Sequence, residues 1–578
     1  MPKIEVSERI LQQYAGRKFS SDTEFEEILT RAKAELDSRD GDLLKVELND
    51  TNRPDLWSTA GLGRQIRLAL GGKLPEYPFF SRKGAELDSG TRVVKVDAGL
   101  ERVRPFIAAF EVSGKSIDEA TLNDLIQTQE KLCWNYGRKR KSIAMGVYRA
   151  GLIEYPVQYL AVDADATRFL PLGGEREMSL RQIIAEHPKG IEFGSIVQDL
   201  PAMPFLTDAA GRVLSFPPII NSADVGAVEV GDSRLFIELT GTDLTSLMLA
   251  TSIVACDLSD AGFTVAPVRV EYPYDTPFGR TYVSPYYFQK PVHVERQFAC
   301  KILGEELATG EIIASIRKMG CVAKESGDAV EVQPCEYRND FLHPVDVIED
   351  IMIGRGMSTF TPTPLTEFTV GRLTPIESFA RRAKSVLVGL GFQEMLFNYL
   401  SSARDLIERM HPDRNVAVLE DEVVQIVNPM SESYEFVRNS ILPGLLGAEA
   451  ASASAPYPHH VFESGKIAVR DKADNSGTRT IDSFGLLSAD SQANFNTIGA
   501  QVAALFFFLS REYTVEPAVD DRFIPGRAAN VRCGGEQVGV FGELHPEVLT
   551  RWGIQIPCTA AEFDLGAVLR VEQTLQNR

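Results

Sequence analysis

A connector rich in proline and threonine, followed at once by a strong helix start, divides this sequence into two parts. The run FTPTPLTEFT (360–369) interrupts regular structure, because proline fixes its own backbone angle and lacks an amide hydrogen. The tetrapeptide TPIE (374–377) then supplies an N-cap, a proline at the first helical position and an acid at N3. Apolar residues recur at three- and four-residue steps over 376–390, which predicts a helix with one buried face. We therefore expect a separate folding unit to begin near residue 370.

The chain is long enough to contain more than two domains. A length of 578 residues leaves room for about three to five domains. Turn-rich and charged segments predict boundaries near residues 80–90 and 275–280 as well as at the connector. We expect a small α/β domain (1–80), an α+β domain (90–275), a compact helical module (280–362) and an antiparallel sheet with helices (370–578). The predicted fold class is therefore α+β and multidomain.

Charge and hydrophobicity exclude several classes of protein. With 60 Lys and Arg against 80 Asp and Glu, the net charge is −20, which argues against coating nucleic acid by bulk electrostatics but leaves room for a local basic patch. The strongest apolar runs are much shorter than the roughly 20 residues that cross a bilayer, and the first residues do not resemble a secretory leader. The seven cysteines are widely spaced, which favours buried reduced thiols. We expect a cytoplasmic protein without a membrane segment.

One acidic cluster has the pattern of a metal site. Asp346, Glu349 and Asp350 fall within about 100° of one another on a helix that His343 and Pro344 can begin. Asp340 in the preceding loop could add a further oxygen. Hard cations such as Mg²⁺ prefer carboxylate ligands of this kind. The alternative is a solvated helix N-terminus whose acids complement the macrodipole, and spacing alone slightly favours that alternative.

A second constellation suits a small-molecule pocket. The run FIELTGTD (236–243) predicts a strand with Glu238 and Thr240 on one face, followed by a helix start. Apolar walls and the loop FPPIINS (216–222) lie nearby in the sequence. There is no nucleophile paired with a base, so a covalent hydrolase is not indicated. From the residues alone, an ordinary strand with its polar face in water is the favoured interpretation.

A basic run and several missing motifs complete the inventory. Residues 138–141 are four consecutive bases, Arg-Lys-Arg-Lys, preceded by Trp134 and Tyr136, which could contact RNA. A solvated face or an acidic partner is the more usual explanation, and we favour it from the sequence alone. VSGKS (112–116) lacks the first glycine of a phosphate loop, because Ala109 occupies that position. The sequence contains no G-x-G-x-x-G dinucleotide motif and no H-E-x-x-H zinc motif.

Taken together, these segments resemble the β subunits of phenylalanine–tRNA ligase, of the archaeal and eukaryotic type. The resemblance extends in order along the whole chain. Its most specific segments are VELNDTNRPDLWSTAGLGRQIR (46–67), EKLCWNYGRKRKSIAMGVY (130–148), YRNDFLHPVDVIEDIMIGRG (337–356) and NPMSESYEFVRNSILPGLL (428–446). With similarity starting by residue 46, we expect neither the N-terminal oligonucleotide-binding barrel nor the C-terminal anticodon-binding domain of bacterial-type β chains.

The resemblance implies a division of labour between two kinds of chain. The last domain is similar to a class II synthetase core but lacks the arginine-bearing motifs that orient ATP, which implies a catalytically silent core. Aminoacylation, and most of the ATP binding, would belong to an α subunit in an α₂β₂ tetramer that charges tRNA(Phe). The module at 280–362 would be winged-helix-like.

The resemblance also implies two sites in this chain. It assigns Asp340, Asp346, Glu349 and Asp350 as magnesium ligands, which reverses the preference from spacing. It assigns an editing pocket, in which mischarged Tyr-tRNA(Phe) is hydrolysed, to four further residues: Leu206, Ser215, Glu238 and Thr240. Glu238 would accept a hydrogen bond from the tyrosine hydroxyl, Ser215 and Thr240 would help to position it, and Leu206 would line the ring pocket. Editing answers a physical need, because a pocket for phenylalanine rejects tyrosine by only about 10².

Two other classes of function remain open at this point. The chain could be a free-standing tRNA-ester hydrolase that works without an α chain. It could also be a scaffold or regulatory paralogue without activity. Glu238, Thr240 and the four acidic positions weigh against the latter, because each has the residue type that its implied role requires.

Overall fold

The computed structural model describes residues 2–85, 87–412 and 422–576 and divides the chain into two compact units, Met1–Pro364 and Leu365–Arg578. The buried hydrophobic clusters each belong to one unit, so each unit has its own core. No helix in the described ranges is long and apolar enough to cross a membrane. The predicted domain 370–578 includes residues 413–421, 577 and 578, which lie outside the described residues.

The first unit begins with a small three-stranded antiparallel sheet in the order β1-β3-β2, covered by helices. Its elements are β1 (Lys3–Ser7), α1 (Glu8–Ala15), α2 (Asp22–Leu29), β2 (Ala34–Asp40), β3 (Leu43–Leu48) and α3 (Thr59–Ala69). Ser21 caps α2, because its side chain accepts a hydrogen bond from the Glu24 amide.

A ten-stranded sheet dominates the middle of the first unit. Its strands are β4 (Val93–Val96), β5 (Phe106–Ser113), β6 (Ile143–Arg149), β7 (Val157–Val162), β10 (Met203–Thr207), β11 (Val213–Phe216), β12 (Ile220–Asn221), β13 (Leu235–Gly241), β14 (Thr264–Glu271) and β15 (Thr281–Ser284). The order is β12-β11-β10-β7-β4-β14-β5-β13-β6, with β15 on β14. The remaining elements are α4 (Glu119–Lys131), β8 (Arg168–Phe169), β9 (Met178–Ser179), α5 (Leu180–Glu186), α6 (Pro188–Phe193) and α7 (Leu244–Asp260).

The two ends of this sheet meet. Asn221 on β12 donates a hydrogen bond to the Val147 carbonyl on β6, with 3.4 Å between nitrogen and oxygen. The sheet therefore curves towards closure, as in a barrel, and brings residues from opposite ends of its strand order to one place. Every residue of β13 is buried, so FIELTG is not a strand with one face in water.

The module that follows combines three helices with a three-stranded antiparallel sheet, β16-β18-β17. Its elements are β16 (Val292–Glu295), α8 (Arg296–Leu303), α9 (Thr309–Lys318), β17 (Val322–Ser326), β18 (Ala329–Gln333) and α10 (Pro344–Arg355). The compact helical module expected over 280–362 is therefore a mixture of helices and strands. The sequence did predict the start of α10: His343 is the N-cap, and its side chain accepts from the Val345 amide.

The second unit is built on a seven-stranded sheet in the order β19-β23-β24-β28-β27-β26-β25, antiparallel except where β19 joins β23. Its described elements are α11 (Pro375–Gly389), β19 (Gln393–Glu394), β20 (Leu400–Ser401), β21 (Val424–Gln425), β22 (Phe436–Val437), α12 (Leu442–Ala451), β23 (His459–Arg470), β24 (Thr478–Ala489), α13 (Phe495–Phe508), β25 (Thr514–Pro517), β26 (Phe523–Cys533), β27 (Glu536–Leu544), α14 (Pro546–Trp552), β28 (Cys558–Asp564) and α15 (Leu565–Gln576). The Thr374 side chain accepts from the Glu377 amide and caps α11, which confirms the helix start read from the sequence.

Candidate functional site

The functional cavity candidate lies where the ends of the ten-stranded sheet meet. It has a volume of about 500 Å³, and its walls are largely apolar. Helix α4, strand β6, the β11–β12 hairpin and residues 226–228 contribute most of its lining. Ser215 on β11 and Glu238 on β13 both lie in the wall. A mostly apolar pocket with a few convergent polar groups is typical of a small-molecule site.

Glu238 is a buried carboxylate with only one of its two oxygens in a hydrogen bond. Its side chain is almost inaccessible to solvent, and burial raises its pKa to about 7. Oε1 accepts a hydrogen bond from the Tyr148 hydroxyl at 2.8 Å. Among the described residues, Oε2 is the only buried carboxylate oxygen without a hydrogen-bond partner. Such an atom carries a desolvation cost, which is typical of a site prepared for a ligand.

Tyr148 joins the two ends of the sheet at this point. Its hydroxyl oxygen lies 2.8 Å from Ser215 Oγ as well as 2.8 Å from Glu238 Oε1. A tyrosine hydroxyl has one proton, so when it donates to Glu238 it can accept from Ser215. This chain of three side chains fixes the orientation of the Glu238 carboxylate.

Gly146 makes this contact sterically possible. It lies directly opposite Glu238 in the β13–β6 register. A Cβ atom at this position would come within 2.1 Å of the Tyr148 hydroxyl oxygen and 2.6 Å of Glu238 Oε1. Any larger residue would therefore displace the carboxylate from Tyr148.

Thr240 acts on a different partner from the one expected. Its Oγ1 accepts from Arg104 Nε at 3.0 Å, and its carbonyl accepts from Arg104 Nη2 at 2.7 Å. Arg104 is buried, and its charge favours the ionised form of Glu238, opposing the effect of burial on the Glu238 pKa. Thr240 therefore positions an arginine rather than bonding to Glu238.

The structure thus brings together two of the four residues expected in the pocket. Ser215 and Glu238 line the cavity, whereas Leu206 and Thr240 are fully buried outside its lining. Leu206 pairs with Ser215 across β10 and β11, so it supports the wall from the neighbouring strand. Sequence reasoning missed Tyr148, Gly146 and Arg104. The alternation of Gly146 and Tyr148 in the strand was visible, but the register that sets them beside Glu238 was not.

The acidic cluster at α10 has a different character. Arg338 is fully buried and contacts two of the acids: Nη2 lies 2.6 Å from Asp340 Oδ2, and Nη1 lies 2.5 Å from Asp350 Oδ2. Burial alone would favour the protonated acids. Arg338 outweighs burial at Asp340 and holds its pKa at about 2, whereas the pKa of Asp350 stays raised.

The other two acids have separate partners. Asp346 Oδ2 accepts from the backbone amides of Leu342 and His343, both at 2.7 Å. Glu349 lies 3.0 Å from Lys33 Nζ, which also contacts Asp50 at 2.5 Å. The described residues contain no group of three or more Asp, Glu, His or Cys side chains arranged to hold a metal ion. In this arrangement the four acids do not fit one shared cation, and their assignment to magnesium stays a prediction.

Comparisons with known proteins identify the class of chain. Residues 292–357 match the family model described as tRNA synthetase B5 domain, and residues 361–565 match the one described as phenylalanyl tRNA synthetase beta chain CLM domain. The chain is therefore built from the modules of a tRNA synthetase subunit.

Full-length relatives make the assignment specific. Phenylalanine–tRNA ligase beta subunits from Borrelia hermsii and Treponema pallidum are 44% and 42% identical to this chain, over 98% of it and all of each relative. An N-terminal fragment of the phenylalanyl-tRNA synthetase beta subunit from Pyrococcus horikoshii is 35% identical, with a TM-score of 0.57, and covers 61% of this chain and 99% of the fragment. This chain belongs to the family of phenylalanine–tRNA ligase beta subunits. Its relatives at this level of identity are bacterial and do not support the expected archaeal and eukaryotic type.

Proposed function

We propose that this chain works with an α chain in an α₂β₂ complex that attaches phenylalanine to tRNA(Phe) at the expense of ATP in the cytoplasm. The family supports the partnership. The synthetic site and most of the ATP contacts belong to the α chain in this proposal, and the unit at 365–578 is a class II-like core without catalysis of its own.

The proposed activity of this chain itself is the hydrolysis of Tyr-tRNA(Phe) in the cavity of the ten-stranded sheet. One observation carries the proposal: a buried carboxylate, Glu238, lies in the cavity wall with one oxygen unpartnered. The hydroxyl of a tyrosine substrate would supply the hydrogen-bond donor that this oxygen lacks. The cavity volume of about 500 Å³ is in the range of small-ligand sites.

The same geometry explains how phenylalanine escapes hydrolysis. Phenylalanine has no hydroxyl, so its entry leaves the Glu238 carboxylate buried and incompletely bonded. Sites built to bond a substrate hydroxyl reject the analogue without it by roughly 10⁴ or more. Tyr148 occupies Oε1, which directs the incoming hydroxyl to the other oxygen. Correct orientation of the ring then holds the ester for attack by water.

The direct test is Glu238→Ala in the assembled enzyme. We expect hydrolysis of Tyr-tRNA(Phe) to fall by at least about 100-fold, because the hydroxyl loses its acceptor. Glu229→Ala is the matched control, since it removes a carboxylate that is 74% exposed from the same domain. Unchanged hydrolysis in Glu238→Ala would contradict the proposal.

Purification separates this function from the two alternatives. Phenylalanine-dependent ATP–pyrophosphate exchange that appears only when α and β chains are mixed supports the ligase complex. Hydrolysis of Tyr-tRNA(Phe) by the β chain alone would favour a free-standing hydrolase. Absence of both activities from the mixture would leave a scaffold.

Magnesium is proposed for the ligase reaction as a whole, where it accompanies ATP on the α chain. No step in the β chain is assigned to it, because Arg338 and Lys33 already form ion pairs with three of the four predicted ligands. Calorimetric titration of Mg²⁺ into the full β chain tests the acidic helix separately. Binding heat that disappears in Glu349→Gln would restore the predicted site.

A further inference from the structure

The basic run beside the editing cavity adopts an unusual backbone. Arg138, Lys139 and Arg140 have φ angles of 51°, 55° and 66°, so three consecutive residues with side chains lie in the left-handed region. They account for three of the five non-glycine residues with positive φ in the described ranges. Strain of this kind persists only when the surrounding structure enforces it, and it is frequent at functional sites.

The turn is held from both sides. The Lys139 and Arg140 amides donate to the carbonyls of Trp134 and Cys133, each at 2.8 Å. Gly137 permits the close packing, because a Cβ there would lie 2.5 Å from the Ile143 carbonyl oxygen. A rigid turn therefore displays this run of basic side chains.

An exposed tryptophan lies against this turn. Trp134 is 45% exposed, and Lys139 Nζ lies 5.3 Å from the centre of its ring. The other two tryptophans of the chain, Trp57 and Trp552, are buried. An accessible indole beside ammonium and guanidinium groups offers a stacking surface for a base and cations for its phosphates.

This surface is continuous with the cavity. The Trp134 ring meets Phe193 edge-on at 6.3 Å, and the Arg140 guanidinium lies 4.2 Å from the centre of the Phe193 ring. Arg140 also donates to the carbonyls of Pro218 and Ile219, and all three residues line the cavity. Two further basic side chains, His187 and Lys189, line the same cavity.

We propose that Trp134 and the left-handed turn Arg138–Arg140 bind the single-stranded 3′ end of tRNA and guide it into the cavity. A terminal base stacks on Trp134, and Lys139 contacts the phosphate of that nucleotide. Arg140 holds in place the part of the cavity wall that the esterified end passes as it enters. The inference rests on the proposed editing function, which requires the 3′ end to reach Glu238. It also reverses the preference for a solvated face that the sequence alone supported.

Single-stranded RNA fits these observations better than an acidic protein partner. The exposed aromatic ring and the adjacent cations match the two components of a strand, a base with a π-face and a phosphate. The basic side chains that line the cavity also favour a ligand that carries negative charge up to the cavity entrance, as a chain of phosphates does. An acidic peptide would use the cations but would gain nothing from the indole or from continuity with the pocket.

Tryptophan fluorescence tests the binding directly. A seven-nucleotide RNA ending in CCA is titrated into the full chain, and we expect it to quench the exposed Trp134 while the two buried tryptophans stay unchanged. Trp134→Phe should abolish the quenching but keep hydrolysis of Tyr-tRNA(Phe), because phenylalanine still stacks. Trp134→Ala should raise the KM for Tyr-tRNA(Phe) by about tenfold with little change in kcat.

Charge variants provide the second readout. Lys139→Gln should reduce the slope of log affinity against log salt by about 0.7, the value for one phosphate contact with a single strand. Lys95→Gln, which removes an exposed lysine on β4 of the same sheet, should leave the slope unchanged.

The outcomes are distinct. Quenching by the RNA, together with the expected rise of KM in Trp134→Ala, supports the proposal. It does so even if Glu238→Ala retains activity and the editing function fails. Absence of quenching, an unchanged KM in Trp134→Ala, or equal quenching by an oligoglutamate of the same charge would overturn it. The last result would assign the surface to an acidic protein instead.

Discussion

Two regions of this chain contain buried carboxylates, and the partners of those carboxylates differ. Around the start of α10, Asp340 and Asp350 are bonded to Arg338, Asp346 accepts from the Leu342 and His343 amides, and Glu349 faces Lys33. At the cavity, Glu238 is buried to a similar degree, yet one oxygen has no partner among the described residues. In the first region each of the four acids has a hydrogen-bond or ion-pair partner. In the second region a buried carboxylate beside the cavity has one oxygen without a partner.

The difference teaches how to recognise a site built for a ligand. A buried charge that is fully bonded contributes to a fixed architecture, and its removal damages the fold. A buried charge that is incompletely bonded costs stability, and a protein tolerates this cost where function uses the group. Substitutions in the two regions should therefore have opposite consequences, and the following experiments measure this contrast.

The largest expected effect is at Arg338. Arg338→Met leaves two buried carboxylates without their cation and should lower the free energy of unfolding by about 3–5 kcal/mol. The measurement is denaturant-induced unfolding of the full chain. Arg355→Met at the C-terminal end of α10 is the control, because its partner Glu305 is partly exposed and the loss should stay below about 1 kcal/mol. Equal losses in the two variants would contradict the contrast.

The next effect is a pH dependence at Glu238. Its pKa is about 7 in the folded chain against an ordinary value of 4.5, so the folded state binds a proton that the unfolded state has released between these values. Stability should therefore fall as pH rises from about 4.5 to 7. The total loss is about 3 kcal/mol, from 1.36 kcal/mol for each pKa unit.

Glu238→Gln should remove this dependence. The variant should gain stability relative to the wild type as pH rises across the same interval and stay level above it. The comparison of two proteins is needed because burial also raises the pKa of Asp257 to about 7, and that titration cancels in the difference. Arg104 and Tyr148 remain in both proteins. A difference that is flat with pH would show that Glu238 is not a strained acid.

A smaller effect is expected at Tyr148. Tyr148→Phe removes the hydroxyl that bonds Glu238 Oε1 and should cost about 2 kcal/mol of stability. It should also move the Glu238 titration to higher pH, because the Tyr148 hydrogen bond lowers the pKa of this carboxyl in the wild type and the variant lacks it. Tyr155→Phe, which removes a hydroxyl bonded to Glu111 in the same domain, should leave the Glu238 titration in place. An unmoved titration in Tyr148→Phe would contradict the assigned contact.

The smallest effect is expected at Lys33. Lys33→Gln separates Glu349 and Asp50 from their common cation, but Glu349 is 44% exposed and water can replace the lysine. The loss of stability should stay below about 1 kcal/mol. A loss as large as that of Arg338→Met would mean that the whole acidic helix, and not only its buried part, depends on paired charge.

The sequence predicted what depends on short segments. The caps at His343 and Thr374 and the strand containing Glu238 could be read locally, because spacing and residue type specify them. The burial of the cysteines was also predicted correctly, since all seven are buried.

What the sequence could not show depends on register and on distant contacts. Tyr148 reaches Ser215 only because the ends of a ten-stranded sheet meet, and residue spacing does not encode that closure. Arg338 lies only two residues before Asp340, yet sequence proximity does not show that its guanidinium bonds both Asp340 and Asp350. Spacing on a helix reports which side chains share a face and says nothing about the cations that pack against it.

The most direct test of this account is the binding of two stable analogues of charged tRNA ends. Calorimetry on the full chain should compare 3′-tyrosylamino-3′-deoxyadenosine with its phenylalanyl counterpart. We expect the tyrosyl compound to bind at least about tenfold more tightly, since a hydrogen bond to a charged group contributes about 1.5–3 kcal/mol. Glu238→Ala should abolish that preference. Equal affinities for the two compounds, or a preference that survives Glu238→Ala, would contradict the claim that the unpartnered carboxylate selects tyrosine.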